Sequence, residues 1–527
     1  MIINNNNNNN NNNDIGRVEL DTLPLPEYAR DFSATYLFSG KVLVFFKRDE
    51  DPDGVNFIHM ATLRDDGSEY REIFAGSVPQ KKTANGVRHM PFMDNKRVLL
   101  GDYVLECKPD LDSCQSVRLV PVDYPWGLEE DPGVMMHWSE IIISPDNEHI
   151  CWTILYHEGG CAVGIGTLKL EGERYRIDNP QIISSQIQFI KDQNRPGYII
   201  PQQVFGGEVK QFVRGGTAIS QVGAHPGSVL TDAVIQDLYK ASITGLTCTP
   251  GYEETAMLSP DERLALVMST RNSPRTNCAI IGLLPRPHAR LVLSGMFSTI
   301  YMYAVAGVRF YRKGNVGPVL AELNRSATEP DYMGVPLNDP EENWVYYSPM
   351  SWHPDNKRVM WPEKVRGSQE GRIRIARLPD YTPGRTVPVQ RTPDEIPYAL
   401  SDPDELTRHE PITEGKIAGK HSGFAEYYSR ENNEGNRYIG DAKIVFQEYS
   451  DDGSVFYNGF EKVWQTEAGE TCYEADLNMT GTQSGEMKFR LVFSSGGYLN
   501  PPKLLFPESR GWAEYSGTRI EVADMAE

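Results

Sequence analysis

Residues 141–155 carry the pattern that decides the fold, and they read IIISPDNEHICWTIL. Three β-branched residues precede the turn Ser144-Pro145-Asp146, and a second apolar run starts at Ile150. Proline presets φ at a turn, and an aspartate side chain can accept hydrogen bonds from backbone amides across it. The stretch therefore predicts a strand, a tight turn and a second strand.

The same pattern recurs along the chain. The pentapeptide DNKRV occurs at 94–98 and again at 355–359, a looser copy starts at Ser259, and a degenerate one at Phe38. The turn aspartates 94, 146, 261 and 355 are separated by 52, 115 and 94 residues. One unseen unit in each longer gap gives a period of about 50 residues, which with four strands per unit is typical of β-propeller blades. We expect six or seven blades over residues 17–400.

The composition changes after the last copy of the pattern. Residues 376–420 are rich in Pro, Asp, Glu and Arg, which indicates a linker or a long irregular connection. Strand-like runs return from about residue 421, without the blade pattern. The sequence therefore predicts an all-β chain in which residues 401–527 hold a linker and a small antiparallel, sandwich-like β domain.

Composition excludes several classes of protein. The chain has 527 residues, 39% of them hydrophobic, with a formal net charge of −20. Such an acidic chain repels phosphate backbones, so we expect no nucleic-acid partner. The longest nearly apolar stretch, Met296–Phe310, has 15 residues, fewer than the roughly 20 that cross a bilayer, so we expect no membrane partner. The sequence leaves the oligomeric state open.

The N-terminus is treated separately from the fold. Ten consecutive asparagines, 4 to 13, follow Met1-Ile2-Ile3, without the apolar segment of a signal peptide. The run resembles the linker of an expression-fusion vector. We therefore expect residues 1–16 to be a fusion-linker remnant, and a native secretion signal to be missing.

The cysteines suggest an oxidising compartment. Cys107 and Cys114 flank a polar segment with Pro109, which a disulfide would close as a tight loop. No CxxC pair occurs in the sequence, so a zinc module is not predicted.

Several stretches together resemble the fungal saponin hydrolase family over most of the chain. They are Arg97–Gly101 ahead of Cys107, the Ser-Pro-Asp turns, Val267–Arg271, Asn338–Pro340 ahead of Trp352–Asp355, and Tyr449–Gly453. This resemblance implies a TolB-like β-propeller. It also implies a secreted glycoside hydrolase that removes the glucuronic-acid-linked sugar chain from triterpenoid saponins.

Candidate site residues follow from the blade pattern. The innermost strand of a blade lines the channel and lies just before the turn aspartate, so residues about five to eleven positions upstream should meet at the channel mouth. These residues are Arg88, His89, His137, Glu140, Glu253, Glu254, Thr255, Trp344, Tyr346, Tyr347 and Ser348.

Two of these residues suit the chemistry of glycoside hydrolysis. That reaction needs one carboxylic acid and a second carboxylate roughly 5 to 9.5 Å away. Glu140 and Glu254 come from different blades at the same level and are the predicted acid/base pair. Either could instead form an ion pair with an arginine. Asp339 is a third candidate, with turn capping as its structural alternative.

A glucuronide also needs a cation for its carboxylate and a surface for its rings. Arginine binds carboxylates in a bidentate way, which makes Arg88, Arg271, Arg275 and Arg309 candidates. Arg271 fits the family pattern best. The aromatic candidates for stacking are Tyr347, Trp344 and Trp126, although aromatic residues between blades usually pack in the core.

Two alternatives to a hydrolase remain open. His89 and His137 could belong to a metal site of a uronate lyase, in which a divalent cation acidifies the proton beside a carboxylate before β-elimination. The hydrolase itself needs no cofactor and takes a small glycoside or oligosaccharide as its partner. Propellers also serve as non-catalytic binding scaffolds.

Overall fold

The computed structural model describes residues 2–3, 15–53, 55–79, 89–157, 160–185, 187–273, 278–339, 341–407, 410–430 and 441–525. Across these residues, six antiparallel blades of four strands follow one another, and an eight-stranded sheet comes after them. The predicted all-β propeller is confirmed, with six blades. Most of the predicted fusion-linker remnant, residues 4–14, lies outside the described residues.

Two short strands and the first three blades make up the N-terminal part of the chain. The strands before blade 1 are β1 (Ile2–Ile3) and β2 (Val18–Thr22). Blade 1 has β3 (Arg30–Tyr36), β4 (Val42–Lys47), β5 (Phe57–Leu63) and β6 (Arg71–Ser77). Blade 2 has β7 (His89–Pro91), β8 (Arg97–Leu100), β9 (Tyr103–Lys108) and β10 (Ser116–Asp123). Blade 3 has a first strand in two pieces, β11 (Val134–Met136) and β12 (Ile141–Ile143), then β13 (His149–Tyr156), β14 (Cys161–Glu171) and β15 (Arg174–Ile182).

The remaining blades follow a hairpin, β16 (Phe189–Lys191) and β17 (Ile199–Pro201). Blade 4 has β18 (Val209–Val213), β19 (Ala218–Gly223), β20 (Asp232–Asp237) and β21 (Ile243–Gly245). Blade 5 has β22 (Glu253–Leu258), β23 (Leu264–Ser269), β24 (Val319–Glu322) and β25 (Val335–Pro336). Blade 6 has a first strand in two pieces, β26 (Trp344–Tyr346) and β27 (Ser351–Trp352), then β28 (Arg358–Val365) and β29 (Gly371–Arg377).

The ring closes through the N-terminal strand. β2 pairs with β29 in antiparallel register from Glu19↔Arg377 to Thr22↔Arg374, and so becomes the outermost strand of blade 6. The first strands of neighbouring blades contact one another from blade 2 to blade 6 and on to blade 1. Leu43 and Val98 share a core cluster that joins blades 1 and 2. The six first strands therefore surround one channel.

Two residues of the repeated turn have separate structural roles. The aspartate closes its own turn, as when Asp146 Oδ1 accepts a hydrogen bond from the Glu148 amide at 3.0 Å. The next residue adopts a left-handed conformation, with φ of 65° at Asn147, which asparagine tolerates better than most residues. The Asn147 side chain then reaches the previous blade, where its Oδ1 accepts a hydrogen bond from the Met93 amide at 2.7 Å.

The two long gaps in the repeat have different causes. The gap of 115 residues contains blade 4, whose turn at Arg214–Gly216 lacks the aspartate. The gap of 94 residues contains a helical insertion between β23 and β24 instead of a blade. The prediction allowed six or seven blades. The additional unit expected in this gap is a helical insertion and not a seventh blade.

The helical insertion has one long member, Ala289–Phe310, which we call the core helix. With 22 residues, the helix is long and apolar enough to cross a membrane. However, 61% of its most apolar 18-residue stretch is buried inside the protein, as in the core helix of a folded domain. The helical segments of the chain are α1 (Ala279–Gly282), α2 (Ala289–Leu293), α3 (Phe297–Tyr301), α4 (Gly307–Phe310) and α5 (Leu323–Thr328), with a π turn at Met302–Ala306 and 3₁₀ turns at Pro125–Glu130, Arg214–Gly216, Ser294–Met296, Pro403–Thr407 and Val522–Met525.

The C-terminal strands form one antiparallel sheet in chain order. Its strands are β30 (Glu414–Ala418), β31 (Ser422–Arg430), β32 (Asp441–Ser450), β33 (Val455–Gln465), β34 (Thr471–Gly481), β35 (Gly485–Phe493), β36 (Arg510–Tyr515) and β37 (Thr518–Glu521). Its buried face shares a core cluster with the core helix, for example Phe446 with Val292. The predicted sandwich is therefore corrected: the second layer over this sheet is a helix.

Residues 379–400 form a strap across the turns of the propeller. The Gly384 amide donates to Asp261 Oδ2 at 2.7 Å in blade 5, and the Thr392 amide donates to Asp146 Oδ2 at 2.8 Å in blade 3. Between them, the Gln390 amide donates to the Gly215 carbonyl of blade 4. The predicted irregular connection therefore fastens three consecutive blades.

The predicted disulfide is absent from this structure. Cys107 and Cys114 are both free thiols, although they lie within hydrogen-bonding contact of each other. Burial, together with the neighbouring thiol, raises the pKa of Cys107. The two residues contribute instead to the apolar cluster between blades 1 and 2.

A buried ion pair joins the insertion to the C-terminal sheet. The Arg286 guanidinium donates to Glu461 Oε1 at 2.6 Å and Oε2 at 2.8 Å, and also to the Tyr473 hydroxyl at 2.9 Å. Both charged side chains are fully buried. Removing one partner of such a pair leaves the other charge without compensation.

We expect Arg286→Ala to lower the free energy of unfolding by about 3–5 kcal/mol, because Glu461 then keeps a buried, unpaired charge. Urea unfolding followed by tryptophan fluorescence measures the effect. Arg519→Ala, which removes an exposed ion pair in the same sheet, is the matched control and should cost less than about 1 kcal/mol. Equal costs for the two variants would contradict the role given to the buried pair.

Candidate functional site

A buried ammonium group organises the channel mouth. Lys210 is the second residue of β18, and its side chain is only 7% exposed. Its Nζ lies 2.7 Å from Glu208 Oε2, 3.6 Å from Glu140 Oε1 and 3.7 Å from Glu254 Oε1. Three carboxylates therefore converge on one lysine.

The blade geometry explains this convergence. Glu140 immediately precedes β12, Glu208 immediately precedes β18, and Glu254 is the second residue of β22. These strands are the first strands of blades 3, 4 and 5, and each enters the sheet at the same end of the channel. Because both distances share Nζ, the Glu140 and Glu254 oxygens are at most about 7.3 Å apart. The structure thus brings together the two carboxylates chosen as the acid/base pair, although their catalytic role remains a prediction.

Lys210 stays charged in this setting. Burial alone would lower its pKa, but the carboxylates of Glu208, Glu140 and Glu254 outweigh burial and raise the pKa above its ordinary value. A permanently protonated lysine cannot act as a base at neutral pH. It instead fixes the carboxylates in place.

Glu208 is the most tightly held of the three carboxylates. Its Oε2 contacts the ammonium at 2.7 Å, and its Oε1 accepts a hydrogen bond from Ser139 Oγ at 2.7 Å. These short contacts occupy both oxygens. Glu208 therefore suits an anchoring role for Lys210.

The Glu254 carboxyl group has an altered pKa. Burial raises its pKa above the ordinary value, and the nearby Glu208 carboxylate adds to the effect, whereas Lys210 and Arg309 oppose it. The Tyr252 hydroxyl donates to Glu254 Oε2 at 2.9 Å. A carboxyl group with a raised pKa can hold a proton at a pH where an ordinary glutamate has lost it.

A second cation, Arg309, lies close enough to Glu254 to lower its pKa. Arg309 belongs to α4 at the end of the core helix and is 8% exposed. Its guanidinium carbon lies 4.5 Å from the centre of the Tyr347 ring, a cation–π contact. Among the described residues, no acceptor satisfies Arg309 Nε, which is buried.

Sequence reasoning missed several members of this site. Glu208 and Lys210 were overlooked because the blade 4 turn lacks the aspartate that marks the other copies. Tyr252 directly precedes the predicted Glu253, the first residue of β22. Tyr301 of the core helix and Tyr498 of the loop between β35 and β36 both act on the pKa of Arg309, and no repeat pattern points to either.

The two predicted histidines have other partners. His137 Nε2 lies 3.1 Å from Asp102 Oδ1, and both side chains are buried between blades 2 and 3. His89 stacks on Phe45, with ring centres 3.8 Å apart. Within the described ranges, no group of three or more His, Cys, Asp or Glu residues is placed to hold a metal ion.

Three further candidates are engaged away from the lysine cluster. Arg271 is corrected from a substrate ligand to a structural residue, because its buried guanidinium pairs with Glu253 and donates to the Tyr332 carbonyl at 2.9 Å. The Arg372 guanidinium carbon lies 4.0 Å from the centre of the Trp344 ring, a cation–π contact. Asp339 is exposed and accepts a hydrogen bond from the Glu341 amide, which is a turn contact. Arg88 and Arg275 lie outside the described residues.

Comparison with known proteins gives structural matches only. No family model and no curated protein sequence matches the chain. A TolB protein of Agrobacterium tumefaciens matches with 11% identity and a TM-score of 0.33, over 58% of this chain and 80% of that one. TolB of Acinetobacter baumannii matches with 10% identity and a TM-score of 0.28, over 67% and 65%. An oligogalacturonate lyase of Vibrio parahaemolyticus matches with 9% identity and a TM-score of 0.37, over 72% and 99%.

These similarities are too low to assign an activity or a substrate. None of the three proteins is a saponin hydrolase, and the likeness to that family remains a prediction from the sequence. The function therefore has to be argued from the geometry of the site.

A second carboxyl group with an altered pKa lies behind the site. Asp232, the first residue of β20, is 4% exposed. Burial raises its pKa to about 8, and the Glu253 carboxylate contributes. Its oxygens accept hydrogen bonds from Ser228 Oγ at 2.5 Å and Thr247 Oγ1 at 3.1 Å.

We expect the stability of the protein to fall as pH rises from about 4 to 8, with a contribution from Asp232. In this window the folded protein holds a proton that the unfolded chain, with a pKa near 3.8, has released. Asp232→Asn removes this contribution. Urea unfolding at pH 5 and pH 8 should therefore show a smaller loss of stability in the variant, by more than about 1.4 kcal/mol, the equivalent of one pKa unit.

Asp339→Asn, in an exposed turn, is the control and should follow the wild type. An unchanged pH dependence in Asp232→Asn would show that this carboxyl group is ionised throughout the range.

Proposed function

We propose that this protein is a glycoside hydrolase that cleaves the bond between a uronic acid sugar and its leaving group. The observation that carries the proposal is the pair Glu140 and Glu254, two carboxyl groups from different blades held around Lys210 at the channel mouth. Such a pair is the minimal equipment for glycoside hydrolysis.

Glu254 is the proposed general acid. Its raised pKa favours the protonated form that must donate to the glycosidic oxygen. Its burial and its hydrogen bond from Tyr252 hold the carboxyl group in one orientation. As the bond from the anomeric carbon to the oxygen breaks, the proton passes to the leaving group.

Glu140 is the proposed base or nucleophile. Its side chain is 22% exposed, the more accessible of the pair, and its Oε1 lies 3.6 Å from the Lys210 ammonium. It either removes a proton from an attacking water or attacks the anomeric carbon itself. The limit of about 7.3 Å between the oxygens covers both the short separation of retaining enzymes and the shorter part of the inverting range.

Arg309 is the proposed partner of the uronate carboxylate. A guanidinium matches a carboxylate in shape and charge, and Arg309 lies close enough to Glu254 to lower its pKa. The Tyr347 ring below the guanidinium presents an aromatic surface at the same place. A cation beside the acid/base pair thus favours acidic sugars over neutral ones.

The finer identity of the substrate rests on the sequence resemblance. It favours triterpenoid saponins with a glucuronic acid at the cleaved bond, and a secreted enzyme. Neither the leaving group nor the location has support from the geometry of the site.

We expect incubation with a glucuronide to give the free leaving group and the intact sugar, together heavier than the substrate by one water. Mass spectrometry of a soyasaponin digest measures this directly, with a synthetic aryl glucuronide beside it to separate the sugar requirement from the leaving group. An unsaturated uronate lost on adding a chelator would instead establish the lyase alternative. Binding without turnover would leave a scaffold.

We expect Glu254→Gln to lower kcat at least 100-fold on an alkyl glucuronide, because the amide cannot protonate the leaving oxygen. The loss should be much smaller on a nitrophenyl glucuronide, whose leaving group departs without a proton. In the wild type, kcat/KM on the alkyl glucuronide should fall as pH rises through the pKa of Glu254. Steady-state kinetics measure all three effects.

Glu329→Gln changes a surface carboxylate of the same blade, paired with Arg325, and should retain full activity. Equal losses on both leaving groups would exclude Glu254 as the acid.

A further inference from the structure

The Lys210 ammonium does not share its contacts evenly among the three carboxylates around it. Its Nζ lies 2.7 Å from Glu208 Oε2, within the usual range of a charged hydrogen bond. The contacts with Glu140 and Glu254, at 3.6 and 3.7 Å, are longer than that range. The ammonium is therefore displaced toward Glu208 and held back from the other two carboxylates.

Contacts with blade 3 fix Glu208 in this position. Its Oε1 accepts a hydrogen bond from Ser139 Oγ at 2.7 Å. The buried Thr153 of β13 secures both sides of this contact. Its carbonyl accepts a hydrogen bond from the Ser139 amide at 2.7 Å, and its hydroxyl accepts one from the amide of Val209, the residue after Glu208, at 2.9 Å. The carboxylate and the backbone next to it are thus both tied to blade 3.

Glu208 acts on Glu254 in two ways that have the same sign. Because both contacts share Nζ, Glu208 Oε2 and Glu254 Oε1 are at most about 6.4 Å apart. A negative charge at that distance disfavours a second one in a buried site. Glu208 also competes for the ammonium, whose closer approach would favour the ionised form of Glu254. Both effects leave the proton on Glu254.

The other groups around Glu254 do not all favour its protonated form. Burial and the Glu208 carboxylate raise the pKa of Glu254, whereas Lys210, Arg309 and the hydrogen bond from Tyr252 lower this pKa. Burial raises the pKa of both Tyr301 and Tyr346, so neither carries a charge at neutral pH. The groups that face Glu254 or share its ammonium partner are, in chain order, Glu140, Glu208, Lys210, Tyr252, Tyr301, Arg309 and Tyr346.

We propose that Glu208 is a positioning residue for the general acid, because it holds the Lys210 ammonium back so that Glu254 keeps its proton. This inference rests on the proposed function, since it takes Glu254 as the acid. Glu208 does not have to touch the substrate. The upper pH limit of activity is then set by a carboxylate that takes no part in bond cleavage.

The test uses Glu208→Gln, which keeps the shape of the side chain and removes its charge. The ammonium can then approach Glu254, which loses its proton at lower pH. We expect the alkaline limb of kcat/KM on an alkyl glucuronide to move to lower pH by roughly one unit or more, with the activity at low pH retained. Lys210→Met should move the limb in the opposite direction, because it removes a cation.

Two further variants make the shift specific. Glu208→Asp keeps the charge but draws it back by one methylene, and should give a smaller shift in the same direction. It also provides the test if Glu208→Gln does not fold. Glu171→Gln changes an exposed carboxylate of blade 3 that is paired with Arg176, and as the matched control it should leave the limb in place.

Infrared difference spectroscopy of the full-length protein follows the same proton without a substrate. The C=O stretch of a protonated carboxyl group that disappears in Glu254→Gln identifies Glu254. The pH midpoint of this band should be lower in Glu208→Gln than in the wild type.

An alkaline limb and an infrared midpoint that both Glu208 variants leave unchanged would overturn this inference and leave the proposed function intact. Equal losses of activity at every pH would also overturn it, since they would show a general structural role. A wild-type protein without activity on any glucuronide would overturn the proposed function, whereas the infrared midpoint would still decide whether Glu208 keeps the proton on Glu254.

Discussion

The closure of the ring by β2 is the constraint on which the rest of the molecule depends. One strand from before blade 1 pairs with β29 of blade 6, so that the two ends of a chain segment of about 360 residues meet in one sheet. Closed in this way, the six first strands must converge on a common axis. The convergence places side chains from blades 3, 4 and 5 within reach of one another, although Glu140 and Glu254 are 114 residues apart in sequence.

Within that frame, the electrostatics of Lys210 set the character of the site. A buried ammonium is costly unless carboxylates surround it, and three of them do so in this channel. Three carboxylates around one ammonium carry an excess of negative charge, which is relieved when one of them keeps its proton. Glu254, buried deepest of the three, has the raised pKa. The arrangement thus sets Glu254 apart from the two neighbouring carboxylates by its environment alone.

The sequence predicted those features that repeat. Asp146, Asp261 and Asp355 each mark a blade because their side chains close the turn. Counting upstream from the first two led to Glu140 and Glu254. The same count failed at blade 4, where Arg214–Gly216 makes the turn without an aspartate, and so Lys210 was missed. Arg271 has the residue type for a substrate ligand, but its pairing with Glu253 depends on tertiary packing that no local pattern encodes.

The packing of the core helix has a consequence for biosynthesis. The helix is made as part of blade 5, but the sheet that covers it, from β30 onward, emerges from the ribosome about 100 residues later. At usual elongation rates this interval lasts on the order of 5–20 s, during which the face of the helix that packs on this sheet has no cover. The nascent chain therefore exposes that face of the helix until the C-terminal sheet has been made.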